Sequence, residues 1–157
     1  ANFDAAKSAA LAVGMLDWRE FGADYATEMI AVAQAFAQAL DAEGLPVFAK
    51  GQGFTQSHQF ALEAAWFGGG QAASKKLRKA GFLACGIGLP IDPVAGDMNG
   101  LRFGTPELVR WGVTADRVDE IAALVARALR SNDPESVADE VRKLRGEFRS
   151  LCYVFKD

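Results

Sequence analysis

The strongest constraint in this sequence is a change of hydrophobic period near Pro46. Upstream, Phe21, Tyr25, Met29, Ala33, Phe36, Ala37 and Leu40 recur at three- and four-residue steps, the spacing of one face of an amphipathic helix. Gly44 and Pro46 then supply a C-terminal stop. Downstream, His58, Phe60 and Leu62 alternate with Gln59, Ala61 and Glu63, the period of a strand. A chain that switches from 3.6 to 2 in this way must pack a helix against a sheet. Fully helical and fully β folds are both excluded.

The remaining elements follow from the same rules. Asn2 or Asp4 can cap a first helix reaching about Leu16, with Ala6, Ala9, Ala10 and Val13 on one side. Asp17-Trp18 is expected to separate it from the Phe21–Leu40 helix. Val47-Phe48-Ala49 reads as a short strand, and Gly51-Gln52-Gly53 and Gly68-Gly69-Gly70 as loops. A helix is predicted over Ala72–Ala80, a buried strand over Phe82–Cys85, and a strand over Leu101–Phe103 that breaks at Gly104-Thr105-Pro106. Gly86 to Gly100 is loop-rich. Thr114 is expected to cap one helix, with Val118, Ile121, Ala122, Val125 and Leu129 as its stripe. Asp133-Pro134 opens a last one, with Val137, Val141, Leu144, Phe148 and Leu151 inward. The fold class is α+β: a small mixed or antiparallel sheet covered by helices, with a long N-terminal linking helix.

With 157 residues, 17 basic and 20 acidic, the chain carries a formal charge of −3. It has no basic excess to neutralise a phosphate backbone, so nucleic acid is not an expected partner. The apolar run from Ala9 to Leu16 is too short to cross a bilayer. One histidine and two cysteines make neither a zinc site nor a disulfide framework, and a reduced cytoplasmic setting is expected. The run Lys75-Lys76-Leu77-Arg78-Lys79 reads as a solvated helix face, and Cys85 as a small buried hydrophobe.

Arg102 lies between Leu101 and Phe103, so alternation sends it to the face opposite those two. A guanidinium on a rigid strand suits bidentate capture of a carboxylate. A solvated arginine paired with a nearby acid fits the same spacing. His58 shares its face with Phe60 and Leu62, which favours a hydrogen-bonded core or interface histidine over a catalytic base. Gly51-Gln52-Gly53 lacks the third glycine and the following helix of a phosphate-binding loop, and Gly68-Gly69-Gly70 lacks the lysine and hydroxyl.

Gly100-Leu101-Arg102-Phe103-Gly104-Thr105-Pro106 resembles the G-[IL]-R-[ILV]-G-T-P motif of serine hydroxymethyltransferases. Pro90-Ile91-Asp92-Pro93 resembles the P-x-D-P element of that family. Gly53 to His58, Gly-Phe-Thr-Gln-Ser-His, resembles its G-G-T-D-N-H segment, and the helix after Val113 its segment following T-T-R-G. The four occur in family order over essentially the whole chain. The resemblance implies the C-terminal part of a fold-type-I pyridoxal-phosphate enzyme. Residues 1–44 would link from a missing large domain and 45–157 would be the small C-terminal domain. It implies a homodimeric parent, a small amino-acid substrate, and Arg102 as the residue that binds its α-carboxylate. The Schiff-base lysine of the family lies in a T-T-T-H-K-T motif that is absent here. This chain alone is therefore expected to be inactive and to hold no cofactor tightly. An autonomous module binding a small carboxylate or a protein partner is the competing reading; the matching domain of another fold-type-I enzyme, a threonine aldolase or aminotransferase, is disfavoured by the paired motifs.

The sequence departs from the family at three places. Ile87 stands where the family's pterin-contacting asparagine belongs, and a hydrocarbon cannot read a pterin edge. Trp111 replaces the arginine of T-T-R-G, and the aspartate and asparagine of T-D-N-H are lost. These changes make tetrahydrofolate a doubtful cofactor and point to a β-hydroxy-amino-acid aldolase or transaldolase. Ile87, Gly88 and His58 are the expected lining of the site around Arg102. If a large domain is missing, the first helix, with Phe3, Leu11, Val13 and Leu16, is expected to expose the surface that met it.

Overall fold

The computed structural model describes residues 4–156. Asn2 and Phe3 lie outside that range. A single helix, α1, runs from Ala5 to Ala42, 38 residues, and Asp4 caps it by accepting from the Ala6 and Lys7 N–H groups. The expected break at Asp17-Trp18 does not occur. Neither residue is a strong helix breaker, since glycine and proline alone carry large penalties. Gly22 leaves room for the Trp18 ring to lie along the helix, where a methyl group would come within 2.6 Å of it.

A three-stranded antiparallel sheet follows, in the order β1-β3-β2: β1 Gln59–Glu63, β2 Cys85–Ile87 and β3 Gly100–Gly104. The α+β reading holds, with fewer strands than expected. Val47 makes an isolated bridge to Leu62, but Ala49 adopts a left-handed conformation (φ 60°) and turns the chain away. Phe82–Ala84 is not a strand. Leu83 there is 87% exposed, and pairing begins at Cys85.

Helix α2 spans Gly70–Ala80, α3 Pro106–Arg110, α4 Val118–Arg130 and α5 Ala138–Arg145. The short α3 occupies what the sequence suggested was a break; Pro106 instead sits at its first turn, where its missing N–H costs nothing. Thr114 caps no helix. It bonds Asp116, and α4 is entered through a 3₁₀ turn at Ala115–Arg117. Asp133 likewise precedes a 3₁₀ turn, Pro134–Val137, without a side-chain cap. Helix α5 ends at Arg145, which leaves Leu151 exposed.

One face of the sheet and the helices enclose the core. Phe60 and Phe103 stack at 5.5 Å between ring centroids, and Phe36 of α1 meets both edge-on. Leu40, Leu62, Leu77, Leu101 and Leu129 are wholly buried among them. Beyond Phe21 towards the N-terminus this packing ceases. Leu11, Val13, Met15, Leu16 and Trp18 are all exposed large apolar side chains.

Helix α2 has no N-cap on its own chain neighbours. Asp97 takes that place from the loop before β3, accepting from the Gln71 and Ala72 N–H groups at 2.9 and 3.0 Å. The Gln71 N–H bond is the main reason its carboxyl titrates below the ordinary value of 3.8. A carboxyl made more acidic by folding contributes to stability above its ordinary value, and that contribution is lost as the pH falls through the lowered one. Asp97→Asn is therefore expected to lower stability at neutral pH and to flatten the acid side of the stability curve, as followed by circular dichroism from pH 7 to about pH 2. An acid limb identical to that of the parent chain would refute the role.

Candidate functional site

Arg102 occupies the middle of the central strand, opposite Ala61 on β1 and Cys85 on β2. Leu101 and Phe103 point into the core, and Arg102 is exposed on the other face, as alternation requires. There it lines an open groove of about 410 Å³ with His58, Gln59, Leu83, Ala84, Cys85, Gly104 and Pro106. Among the described residues, the carboxylates in ion pairs take other partners. Asp41 pairs with Lys50, Glu147 with Arg117 and Glu140 with Arg127; Arg102 enters no ion pair. A charged fork fixed on a strand and free of an internal partner is suited to a carboxylate from outside.

The strand is held from behind by Thr105. This side chain is fully buried. Its hydroxyl lies 2.7 Å from the Met29 carbonyl oxygen of α1 and 3.0 Å from that of His58. Its own N–H donates to the same His58 oxygen. Helix, strand and the entry to β1 thus meet at one residue. Thr105→Val keeps the shape and removes the hydroxyl, and with it the buried side-chain hydrogen bond to the Met29 carbonyl. It is expected to cost about 1–2 kcal/mol, measured by urea unfolding; a midpoint unchanged from the parent chain would contradict this.

The other expected site residues are not equally placed. His58 does line the groove beside Arg102, but it is exposed, not the core histidine that its parity with Phe60 suggested. It precedes β1, and the alternation does not extend back to it. Ile87 pairs with Gly100, one same-face position along from the Cys85–Arg102 pair. Its Cγ1 and the Leu89 side chain cover Gly100, where a methyl group would meet them at 3.2 and 2.6 Å. Ile87 therefore borders the groove along the sheet without lining it. Gly88 is exposed with open space around it. Cys85 is half-buried and faces the groove, not the core.

Sequence reasoning missed Asn99. It is 8% exposed. Its Oδ1 accepts from the Leu89 N–H at 2.7 Å, and its Nδ2 is within 2.9–3.2 Å of the carbonyl oxygens of Leu89, Ile91 and Asp92. One amide thereby fixes the Pro90–Pro93 loop against the start of β3. Its position immediately before the Gly100–Pro106 motif was the available signal.

A second depression of about 400 Å³ lies between the ends of α1 and α4, lined by Trp66, Phe67, Lys76 and Arg130 among others. Its cations are engaged: Lys76 donates to the Leu129 carbonyl and Arg130 to that of Glu43. Lys76 is thus turned from the solvated face expected of it, while Lys75, Arg78 and Lys79 are exposed. Among the described residues no group of three or more histidines, cysteines or carboxylates is placed to hold a metal ion. No described helix is long and apolar enough to cross a membrane.

No protein-family model matches the chain. Individual proteins do. An alpha-methylserine aldolase of Variovorax paradoxus is 60% identical over 156 residues, 99% of this chain and 35% of its own length. The serine hydroxymethyltransferase of Pyrobaculum islandicum is 35% identical over 155 residues, 99% of this chain and 36% of its own. Among solved structures, the L-threonine transaldolase of Pseudomonas fluorescens superposes with a TM-score of 0.79 at 27% identity, covering 91% of this chain and 33% of that one. The chain is homologous to these aldolases and hydroxymethyltransferases and spans about 35% of the length of the curated relatives it matches.

Proposed function

We propose that this chain is the smaller, C-terminal domain of a pyridoxal-phosphate-dependent enzyme that makes or breaks the Cα–Cβ bond of a β-hydroxy amino acid, and that Arg102 holds the substrate's α-carboxylate. The observation that carries the reading is the position of Arg102. It is central in the sheet, lacks an internal ion-pair partner, and faces an open groove. In this reading residues 1–44 lead in from a larger domain and 45–157 form the smaller one; the parent is a cytoplasmic homodimer.

Pyridoxal phosphate supplies an electron sink for a bond breaking at the α-carbon. The residues of this chain do not fit it on their own, because no lysine lines the groove. Lys50 is paired with Asp41 and Lys76 with the Leu129 carbonyl. The chain's contribution is to orient the substrate. A two-point grip on the carboxylate fixes which substituent of the α-carbon stands where, and so which bond is set to break. His58 and Gln59 give the groove one polar side; Leu83, Ala84 and Cys85 give it an apolar one.

In this reading Ile87, beside Leu89 over Gly100, takes the place of the family's pterin-contacting asparagine with a hydrocarbon that cannot hydrogen-bond a pterin. The full-length protein is therefore expected to cleave β-hydroxy amino acids, α-methylserine included, at the same rate with and without tetrahydrofolate. Strict dependence on the folate would overturn the folate-independent assignment. The isolated chain, mixed with pyridoxal phosphate and dialysed, is expected to retain no cofactor absorbance. A retained band that shifts on adding glycine would show that it carries its own cofactor site. Arg102 and the groove residues named with it all belong to this chain, which also fits a free-standing carboxylate binder. Saturable binding of small amino acids to the isolated chain, abolished by Arg102→Ala, would support that alternative.

A further inference from the structure

Residues 151–156 form neither helix nor strand, yet they touch α1 and α3 in a tight series of contacts. The Cys152 N–H donates to the Arg110 carbonyl at 2.8 Å, and Arg110 Nη1 donates back to the Tyr153 carbonyl at 2.9 Å. The Tyr153 ring stacks on Tyr25 at 5.1 Å. Its backbone is left-handed, φ 59°, a conformation that a tyrosine adopts only when its surroundings impose it. One step further, the Phe155 N–H donates to Asp17 Oδ1 at 3.0 Å, and its ring meets Phe21 edge-on at 5.2 Å.

The contacted residues of α1, Asp17, Phe21 and Tyr25, lie at successive four-residue steps along one flank. They mark the place where α1 passes from the buried core to the exposed turns carrying Leu11, Met15 and Trp18. It is also the place where the sequence suggested a break. Most helical stability in proteins comes from tertiary packing, which these exposed turns lack, so whatever grips α1 at this point decides how far it stays a straight rod. The grip reaches the carboxylate groove as well. The Tyr25 hydroxyl donates to the Pro106 carbonyl at 2.8 Å, and the Arg110 guanidinium lies 4.6 Å over the Tyr25 ring. Pro106 lines the groove with Arg102.

We propose that residues 151–156 are a strap that holds α1 at a fixed angle to the strand bearing Arg102, with Tyr25, Tyr153 and Phe155 as its positioning residues. The consequence for catalysis rests on the carboxylate reading given above; the mechanical claim does not.

Hydrogen exchange on this chain tests the mechanical claim. In Phe155→Ala, and in a chain ending at Ser150, the amides of residues 14–25 are expected to exchange about tenfold faster or more, while those of 29–40 change by less than about twofold. Unchanged exchange at 14–25 in both variants would overturn the strap, and so would uniform acceleration along the whole of α1. In the full-length enzyme, Phe155→Ala is expected to raise KM for the amino acid about fivefold with kcat nearly unchanged, and Phe155→Leu to restore part of the loss. Faster exchange with an unaltered KM would overturn the link to Arg102. If Arg102→Ala itself left KM unaltered, the carboxylate reading would fall, and the exchange result would decide the strap by itself.

Discussion

Arg102→Ala is expected to lower kcat/KM of the proposed full-length enzyme about 100-fold or more, equivalent to about 2.7 kcal/mol of lost transition-state binding. The same change is expected to move the stability of this chain by no more than about 0.5 kcal/mol. The two effects separate because the guanidinium is exposed and makes no internal ion pair among the described residues. Its removal leaves no buried group unsatisfied. Arg102→Lys is expected to recover little, since an ammonium is a point charge and cannot match two carboxylate oxygens in one plane. Paired measurements of steady-state rates and urea midpoints decide the matter. A variant that loses stability in step with activity would place Arg102 in the fold, not in the chemistry. Full activity would remove it from the site.

Gly70→Ala is expected to destabilise the chain by about 2–3 kcal/mol, although alanine in place of glycine normally stabilises a helix by about 1 kcal/mol. The sign reverses because the start of α2 rests directly on the sheet. A methyl group at position 70 would come within 2.0 Å of the Gly100 carbonyl oxygen and 2.9 Å of the Gly86 Cα. These are backbone atoms and cannot swing aside as a side chain can. To admit the methyl, α2 must lift, which would stretch the bond from the Gly70 N–H to the Met98 carbonyl, 2.7 Å at present, and draw Asp97 from its cap. A urea midpoint equal to or above that of the parent chain would show that α2 slides without cost.

Periodicity carried the large features. The Phe21–Leu40 stripe, the alternation at Phe60–Leu62 and the Val118–Leu129 stripe each became an element with the expected face inward. What failed did so at turns and caps, and where a distant contact adds to local preference. Val47–Ala49 looks like a strand, and a left-handed Ala49 ends it. The expected break at Asp17-Trp18 assumed that the local sequence acts alone, whereas residues 138 positions away hydrogen-bond there. The caps of α4 and α5 were assigned by residue type, and 3₁₀ turns took their place.

The candidate site was legible in the same uneven way. The face of Arg102 followed from its neighbours, while the carboxylate role proposed for it rests on the resemblance of the Gly100–Pro106 motif. His58 could not be placed, because strand parity means nothing one residue outside the strand. Asn99 and Thr105 act on the backbone of segments remote in sequence, and no spacing rule connects Asn99 to Leu89 or Thr105 to Met29.

Unbroken from Ala5 to Ala42, α1 also acts as a lever. Twenty residues separate Tyr25 from its first turn, an arm of about 30 Å at about 1.5 Å per residue. A tilt of about 5° at Tyr25 would sweep the first turn through about 2.6 Å. Modest repacking around one aromatic pair would thus be amplified into a larger displacement at the opposite end of the rod.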